Sequence, residues 1–590
     1  MKKSLSCCLA ALMSISVVGC SNNSSTATNT QSYKAGTYTA TTKGMNGDLT
    51  VEVTVDESSI KEVKVTDQVE TYGVGQGLPT SPIETLPGLI VEKQSLGIDG
   101  VTGATITSNA ILKATSDALE QAGGKIDELE KKVEVAKQED TTLDTDIVVV
   151  GAGVAGMSAA IEASEAGAKV VIVEKQGIVG GATTLSGGKL LAAGTSYQEA
   201  QGYTGDTPEA LYDYLKSVGE IGGEGLIDEA KLHEFTDNAL EDVTWLEDTG
   251  VPIINVEPIH SSITPWRVMN TKGGGGQKSG FGGNISVPLF DRLDKTDTEI
   301  VYNTTANEIL TKDGKVCGVA GTRSDGSKVT VNAKKVIIAT GGFAQNKDML
   351  SHLGIENYST SVPKGNVGEG VTMAQAVGAD YFESPGVQAV YCSFTSGVGI
   401  NEESGLIVSD QGKRVVDEWT YQSHVASALI REGSQKAYYI ASSNDPNLTV
   451  QYALTLEATP KAETAEELAK LIGVDPTTLA ETVSNYNAMC AAGEDTEFNK
   501  PSEYMIPVEG TLYAIEMNPS FTVTFGGLVT TTNSEVLDTD GNIIDGLYAA
   551  GEVANTGLFG DEYPSCGLAI GSGVRFGRIA GQQAVATLSK

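Results

Sequence analysis

Three glycines in GAGVAG, Gly151, Gly153 and Gly156, follow the apolar run 147–150 and open an amphipathic stretch. A second apolar run, 170–173, ends in Glu174. Strand, glycine loop, helix, strand and acid, in that order, are the parts of a dinucleotide site. The first glycine makes the tight turn, the second lets backbone approach a pyrophosphate, and the third lets helix and sheet pack closely. The phosphates rest on the free N–H groups of the helix N-terminus, and Glu174 accepts hydrogen bonds from the adenosine ribose. A second stretch, DGVTGATITSNAI (99–111), crowds Thr102, Thr105 and Thr107 around a Gly-Ala pair. It has hydroxyls but no His, no Cys and no carboxylate pair.

These stretches need a large scaffold. At about 100–200 residues per domain, the chain holds roughly three. Its net charge of −36 and its 69 glycines argue against nucleic acid or anionic lipid as partners and for many tight turns. MKKSLSCCLAALMSISVVGC (1–20) has two lysines, an apolar run and then small residues, the pattern of an export signal. Its ending, Val17-Val18-Gly19-Cys20, resembles a bacterial lipobox, which implies lipidation of Cys20 and a membrane-surface anchor that does not span. The expected location is the outer face of the bacterial cell membrane. No later stretch reaches the roughly 18 apolar residues of a membrane-spanning helix. After Cys20 only Cys317, Cys392, Cys490 and Cys566 remain, without C-x-x-C or C-x-x-C-H spacing, so no metal cluster or c-type haem is expected. Disulfides stay open.

The expected organisation is a polar tether at 21–32, a first domain at 33–123, a charged linker at 124–143, and a larger region from 144 on. In the first domain GDLTVEVTVDESSIKEVKVTD alternates like paired strands with a turn at 56–59, and a helix capped by Thr107 or Ser108 follows. The linker is solvated, with some helical character.

Behind Glu174 the chain reads KQGIVGGATTLSGG. KKVIIATGGFA gives a strand ending in Thr340-Gly341-Gly342, and LYAAGE another leading to Gly551-Glu552. Together these resemble the FAD-binding domain of the succinate dehydrogenase/fumarate reductase flavoproteins, over roughly 144–590. The resemblance implies non-covalent FAD and an α/β fold: a Rossmann-like FAD domain at 144–342 and 521–590, with an inserted capping domain at 343–520. The helical period of TAEELAKLIGVDPTTLAETVSNYNAMCAAG suits a cap made largely of helices. The implied FAD contacts are Gly151, Gly153, Ala155, Gly156, Glu174, Lys175, Gly181, Ala182, Thr183, Ser186, Gly187 and Gly188. Ala306, Thr340, Gly341, Gly342, Gly551, Glu552, Leu568, Ala569 and Ile570 complete them. The last helix, LAIGSGVRFGRIAGQQAVATL, begins after Gly567 and points its N-terminus at the flavin, where its dipole stabilises negative charge on N1 and O2.

ETYGVG together with SLGIDGVTGATITSNAI resembles the FMN-binding domain of sodium-pumping quinone reductase subunits and some fumarate and urocanate reductases. The preceding α+β domain is therefore expected to carry one covalent FMN, in a phosphoester on Thr105, added by a separate flavin transferase. Thr102 and Thr107 are neighbours of that linkage.

At the substrate groups the chain departs from the soluble fumarate reductases. Gln422 stands where the proton-donating arginine is expected, FTVTFGG replaces a His-His motif, and GDEYPSCGLAI lacks a substrate-gripping arginine. Tyr563-Pro564-Ser565-Cys566-Gly567 instead resembles the Y-P-x-x-G of 3-ketosteroid dehydrogenases, where the tyrosine hydroxyl and glycine N–H polarise a carbonyl; it also reads as a turn with a buried tyrosine. Tyr391 falls near a position where the fumarate enzymes hold a substrate-contacting histidine. Tyr421 and His424 are further candidate proton donors, and Arg267 faces either the site or a salt bridge.

The expected function is an exported flavoprotein reductase of EC 1.3 type. It draws electrons from a membrane donor and passes them through FMN and FAD to an activated C=C bond in a small unsaturated carboxylate or carbonyl compound, in anaerobic respiration. The alternatives are a 3-ketosteroid-dehydrogenase-like enone oxidoreductase and an electron-transfer lipoprotein without a specific substrate.

Overall fold

The structure, a computed structural model, describes residues 32–588 except 135, 222, 224, 262, 272–280, 385–386, 394 and 399–404. The export signal, Cys20 and nearly all of the tether lie outside the described residues.

The first domain is a three-stranded antiparallel sheet, Gly36–Lys43, Asp48–Val55 and Ile60–Asp67, covered by the helices Pro82–Lys93 and Thr105–Gln121. The middle strand alternates buried and part-buried residues, as a sheet with one covered face must. Leu49, Val51 and Val53 meet Ile111, Ala114 and Ala118 in a core of its own. The turn falls at 56–59 as the alternation predicts. The second helix starts earlier than expected: Ala104 is its N-cap, and Thr107 and Ser108 lie inside it, buried. Neither caps it, because both hydroxyls are engaged, Thr107 by Glu70 and Ser108 by the Ala104 carbonyl.

The charged linker forms one short helical turn, Ile126–Leu129, and the next strand begins at Thr141, before the apolar run. Its first half alternates exposed and part-buried residues, which hides it from a search for apolar runs. That strand, Thr141–Val150, sits centrally in an eight-stranded sheet. Val170–Val173 pairs with it in parallel on one side and Lys328–Ile338 in parallel on the other. Ile543–Ala549 returns from far along the chain to pair in parallel with Lys328–Ile338. The helices Val154–Glu165 and Leu568–Ala586 pack together against this sheet. The C-terminal ends of four parallel strands thus open toward one edge, where α/β sheets bind ligands.

The region between is not largely helical. A six-stranded sheet holds it, built on the long strand Leu512–Thr524, with Ala437–Ala441, Val387–Cys392, Lys461–Ala462 and Ser359–Thr360 paired to it and Leu406–Ser409 beyond. The helices Gln422–Arg431, Ala465–Ile472 and Pro476–Ala492 flank that sheet. The helical period was real, but it belongs to only two of the flanking helices. All four described cysteines are free thiols. Among the described residues no helix is long and apolar enough to cross a membrane, and no His, Cys, Asp and Glu cluster could hold a metal ion.

Candidate active site

At the strand ends lies a cleft of about 620 Å³. Each glycine of the loop does a separate job. Gly151 turns the chain at φ 103°, and a Cβ there would lie 2.4 Å from the Ala339 carbonyl oxygen. A Cβ on Gly153 would meet nothing within 4 Å, since that position opens onto the cleft. A Cβ on Gly156 would lie 2.0 Å from the Gly151 carbonyl oxygen, so this glycine locks helix against loop. Gly156 packs and does not line the cleft, whereas Ala155 does.

Glu174 is buried on the cleft wall at the end of the strand Val170–Val173. Its carboxylate accepts the Ala152 N–H at 2.8 Å and the Gln176 N–H at 2.8 Å. Burial pushes its carboxyl above the usual range, against the pull of those backbone donors. Lys175 lines the cleft, paired with Glu369. Gly181, Ala182, Thr183, Ser186 and Gly187 line it as expected, and Thr183 Oγ1 accepts the Val154 N–H at 3.2 Å. Ala306, Thr340, Gly341, Gly551, Glu552, Ala569 and Ile570 are also brought to the wall.

Besides Gly156, three expected contacts are corrected. Gly188, Gly342 and Leu568 do not line the cleft. Gly188 fits against Phe281 and Thr271, Gly342 leaves room for the Glu552 and Thr524 side chains, and Leu568 is buried in the core. They shape the wall from behind.

The set fits a flavin dinucleotide. The Thr340 hydroxyl, on the wall, is buried without a protein partner, and a ligand's polar atom would satisfy it. The open position at Gly153 leaves space for a phosphate against backbone.

At the other end stand Tyr563, Cys566 and Gly567, with Leu185, Phe281 and Val523 as apolar walls. The Tyr563 hydroxyl oxygen accepts the Ala569 N–H at 3.1 Å, which leaves its own proton to donate. Gly567, at φ 90°, is the N-cap of Leu568–Ala586, where helix N–H groups lack intrahelical acceptors. A Cβ there would lie 2.5 Å from the Leu190 carbonyl carbon, so only glycine fits. The two donors of the predicted carbonyl-polarising pair therefore share one wall. Burial holds the Tyr563 phenol well above its usual range.

The proton-donor candidates separate. Tyr421, the N-cap of Gln422–Arg431, does not line the cleft; its hydroxyl lies 3.2 Å from the Sγ of Cys566, which does. Burial raises both groups. Gln422 does not line the cleft. His424 also stands off it, its Nδ1 2.8 Å from Glu562 Oε1. Tyr391 is corrected outright. It is fully buried in the core of the capping sheet and donates to the Ser434 carbonyl at 2.9 Å. It faces inward because its strand alternates and its residue falls on the covered side. Arg267 is not a site residue either, since Asp206 holds it in a buried two-pronged pair at 2.6 and 2.8 Å. Sequence reasoning missed Cys566 and Glu562 as functional neighbours. Both lie within one residue of the Y-P-x-x-G segment, and that adjacency was the available signal.

The threonine loop docks on the chain just past Glu174. The Thr102 carbonyl accepts the Gly177 N–H at 3.0 Å. Ala104 and Leu78 are buried in the core of the large sheet, not that of their own domain. Thr105 is the first residue of its helix and is exposed, as is Thr102, while Thr107 is buried against Glu70. Thr105 is thus open to modification.

Comparison with known proteins agrees with this geometry. Residues 146–570 match the FAD binding domain family, and residues 44–120 match the FMN-binding domain family. The chain is 31% identical to urocanate reductase of Eggerthella lenta, over 97% of this chain and 96% of that protein. It is 32% identical to the cytochrome-type fumarate reductase of Shewanella frigidimarina, over 78% of this chain and 80% of that one. It is 29% identical to NADH:acrylate oxidoreductase of Vibrio harveyi, over 94% of this chain and 61% of that protein. Among solved structures, 3-ketosteroid-Δ4-(5α)-dehydrogenase of Rhodococcus jostii superposes with TM-score 0.63 at 27% identity, over 76% of this chain and 98% of that one. An open flavocytochrome c3 fumarate reductase gives 0.59 at 29%, over 76% and 79%.

Proposed function

This chain belongs to the family of flavoproteins built on that FAD binding domain, joined here to an FMN-binding domain, and from that premise we propose the chemistry of its cleft. The protein is an FAD-dependent oxidoreductase that reduces unsaturated C=C bonds. The observation that carries its site is the shared wall of Tyr563 O–H and Gly567 N–H beside a cleft shaped for FAD. Bound FAD supplies the hydride equivalent. Tyr563 and Gly567 hold the oxygen of the group conjugated to the double bond and draw charge onto it, the function of an oxyanion site. The Cys566 thiol, on the wall, passes its proton to the neighbouring carbon and is reprotonated by the Tyr421 hydroxyl bonded to it from behind, and Leu185, Phe281 and Val523 keep water from the reacting atoms.

FMN is carried covalently on Thr105 through a phosphoester, attached by a flavin transferase, and relays electrons from a membrane donor. Support comes from the D-x-x-T-G-A-T pattern and the exposed Thr105 hydroxyl. The chain works on the outer face of the cell membrane, held by lipid on Cys20; the lipobox-like ending supports this. The 3-ketosteroid-dehydrogenase likeness gives the second reading, in which the conjugated group is a ketone.

The test is oxidation of a reduced viologen by the flavin-loaded protein against a panel of enoates, enones and α,β-unsaturated amides. Specific turnover of one class, lost in Tyr563→Phe, is the expected result. Two bound flavins with no turnover of any member would leave an electron carrier instead.

A further inference from the structure

The charge of the substrate can be read from what already neutralises the cations around the cleft, given the reading above that the site reduces a conjugated C=C bond. Two lysines line the cleft, and each has a carboxylate partner: Lys175 has Glu369, and Lys189 has Glu257. No arginine among the described residues lines it. The cations behind the Tyr563 wall are engaged too. Asp206 holds Arg267 at 2.6 Å, both buried. Glu562, fully buried, lies 3.0 Å from Arg431 and 2.8 Å from the His424 ring.

A carboxylate moved into a water-poor cleft gives up its hydration and needs a cation in exchange. Among the described residues, the two lysines that line the cleft and the two arginines behind the Tyr563 wall each have a protein carboxylate as counter-ion. The donors that remain unspent, Tyr563 O–H and Gly567 N–H, are neutral, and they sit between apolar walls. Glu562 and Asp561 directly precede Tyr563 and are buried, and both pair with the same Arg431, so that arginine has no charge to spare for a substrate carboxylate. We propose that the substrate is an uncharged conjugated carbonyl compound, an enone or an α,β-unsaturated amide, bound by its carbonyl oxygen, and that the corresponding carboxylate anions are discriminated against.

The experiment uses the flavin-loaded protein and pairs that differ only at the terminal group: cinnamate with cinnamamide and with benzylideneacetone, and urocanate with its amide, at pH 7. Neutral members are expected to show at least tenfold higher kcat/KM. Intrinsic reactivity is removed by measuring inhibition with the saturated products, for which the neutral compound is expected to bind at least tenfold tighter. Preference for the acids in both measurements overturns the charge class while leaving C=C reduction intact. Turnover of neither member, with FAD reduced by the dye, overturns the reductase reading itself. Glu562→Gln, checked for FAD content, releases Arg431 and His424 and is expected to raise the acid-to-amide ratio at least tenfold; an unchanged ratio in the FAD-loaded variant overturns the electrostatic argument.

Discussion

The carbonyl of Thr102 and the N–H of Gly177 are joined at 3.0 Å, so the threonine loop of the first domain is tied to the chain three residues past Glu174. A Cβ on Gly103 would lie 2.5 Å from Gln176 Oε1, which shows how tightly the loop is seated. Backbone makes this contact, which leaves the side chain of Thr105 facing solvent.

Thr105→Ala is expected to abolish flavin fluorescence of the denatured chain on a gel, while Thr102→Ala retains it. Persisting fluorescence in Thr105→Ala would sink the phosphoester assignment. Thr107→Val is expected to act on stability instead, because it takes the hydroxyl donor from one oxygen of the buried Glu70 carboxylate, whose other oxygen keeps the Met45 N–H, at a cost of about 1–3 kcal/mol.

Tyr563→Phe removes one donor from the wall and is expected to lower kcat/KM by about 10²-fold or more, with FAD retained. Because burial holds this phenol well above its usual range, it stays protonated, and the wild-type profile should show no alkaline loss from this group up to about pH 10. A tyrosine-dependent alkaline limb below that would contradict the role.

Tyr421→Phe is expected to lower kcat by about 10²–10⁴-fold, with a smaller effect on KM, and to remove the solvent isotope effect of proton delivery. Gln422→Ala and His424→Ala should retain that isotope effect. If His424→Ala alone removed it, the proton would travel through His424 and Glu562.

The glycines separate folding from binding. Gly153→Ala should fold normally but bind FAD weakly, since its methyl enters only the cleft. Gly156→Ala should lose about 3 kcal/mol or fail to fold, because its methyl meets backbone. Equal thermal melts for the two apo-variants would contradict these roles.

Lys231 lies in the helix Glu229–Thr249, and burial lowers its pKa to about 8, with Asp228 opposing. Between that value and the ordinary 10.5 the unfolded chain binds more protons than the folded one, so stability rises with pH over this window. Below pH 8 the full penalty applies, on the order of 3 kcal/mol, offset by about 1 for the bond to the Thr556 carbonyl. Lys231→Met should therefore melt higher than wild type at pH 7, with the difference shrinking by pH 10. A gap that grows with pH would reverse the sign.

The dinucleotide cradle was legible because its glycines, flanking strands and terminal acid fall within one short run of the chain, even though the group that crowds Gly151, the Ala339 carbonyl, comes from far along it. The threonine loop was legible as a pattern, but its docking on Gly177 was not, since a backbone bond between domains leaves no side-chain signature. Tyr391 misled because its position rested on alignment with a family, and strand alternation turned its ring inward. The sheet of the capping region escaped notice because short strands such as Lys461–Ala462 and Ser359–Thr360 are too brief for a period. The pairing of Arg267 with Asp206 joins residues 61 apart, a separation over which spacing says nothing.

The helix Leu568–Ala586 has a consequence for how the protein comes into being. Gly577 approaches the Ala155 backbone so closely that a Cβ would lie 2.4 Å from its carbonyl oxygen, and Ala569 and Ile570 close the cleft opened by Gly151 and Gly153. The two halves of the cradle leave the ribosome hundreds of residues apart. A nascent chain therefore displays the phosphate loop long before it has the wall that retains a cofactor, and flavin capture is a late event in its synthesis. The threonine domain, with its own core near the start of the chain, is under no such constraint.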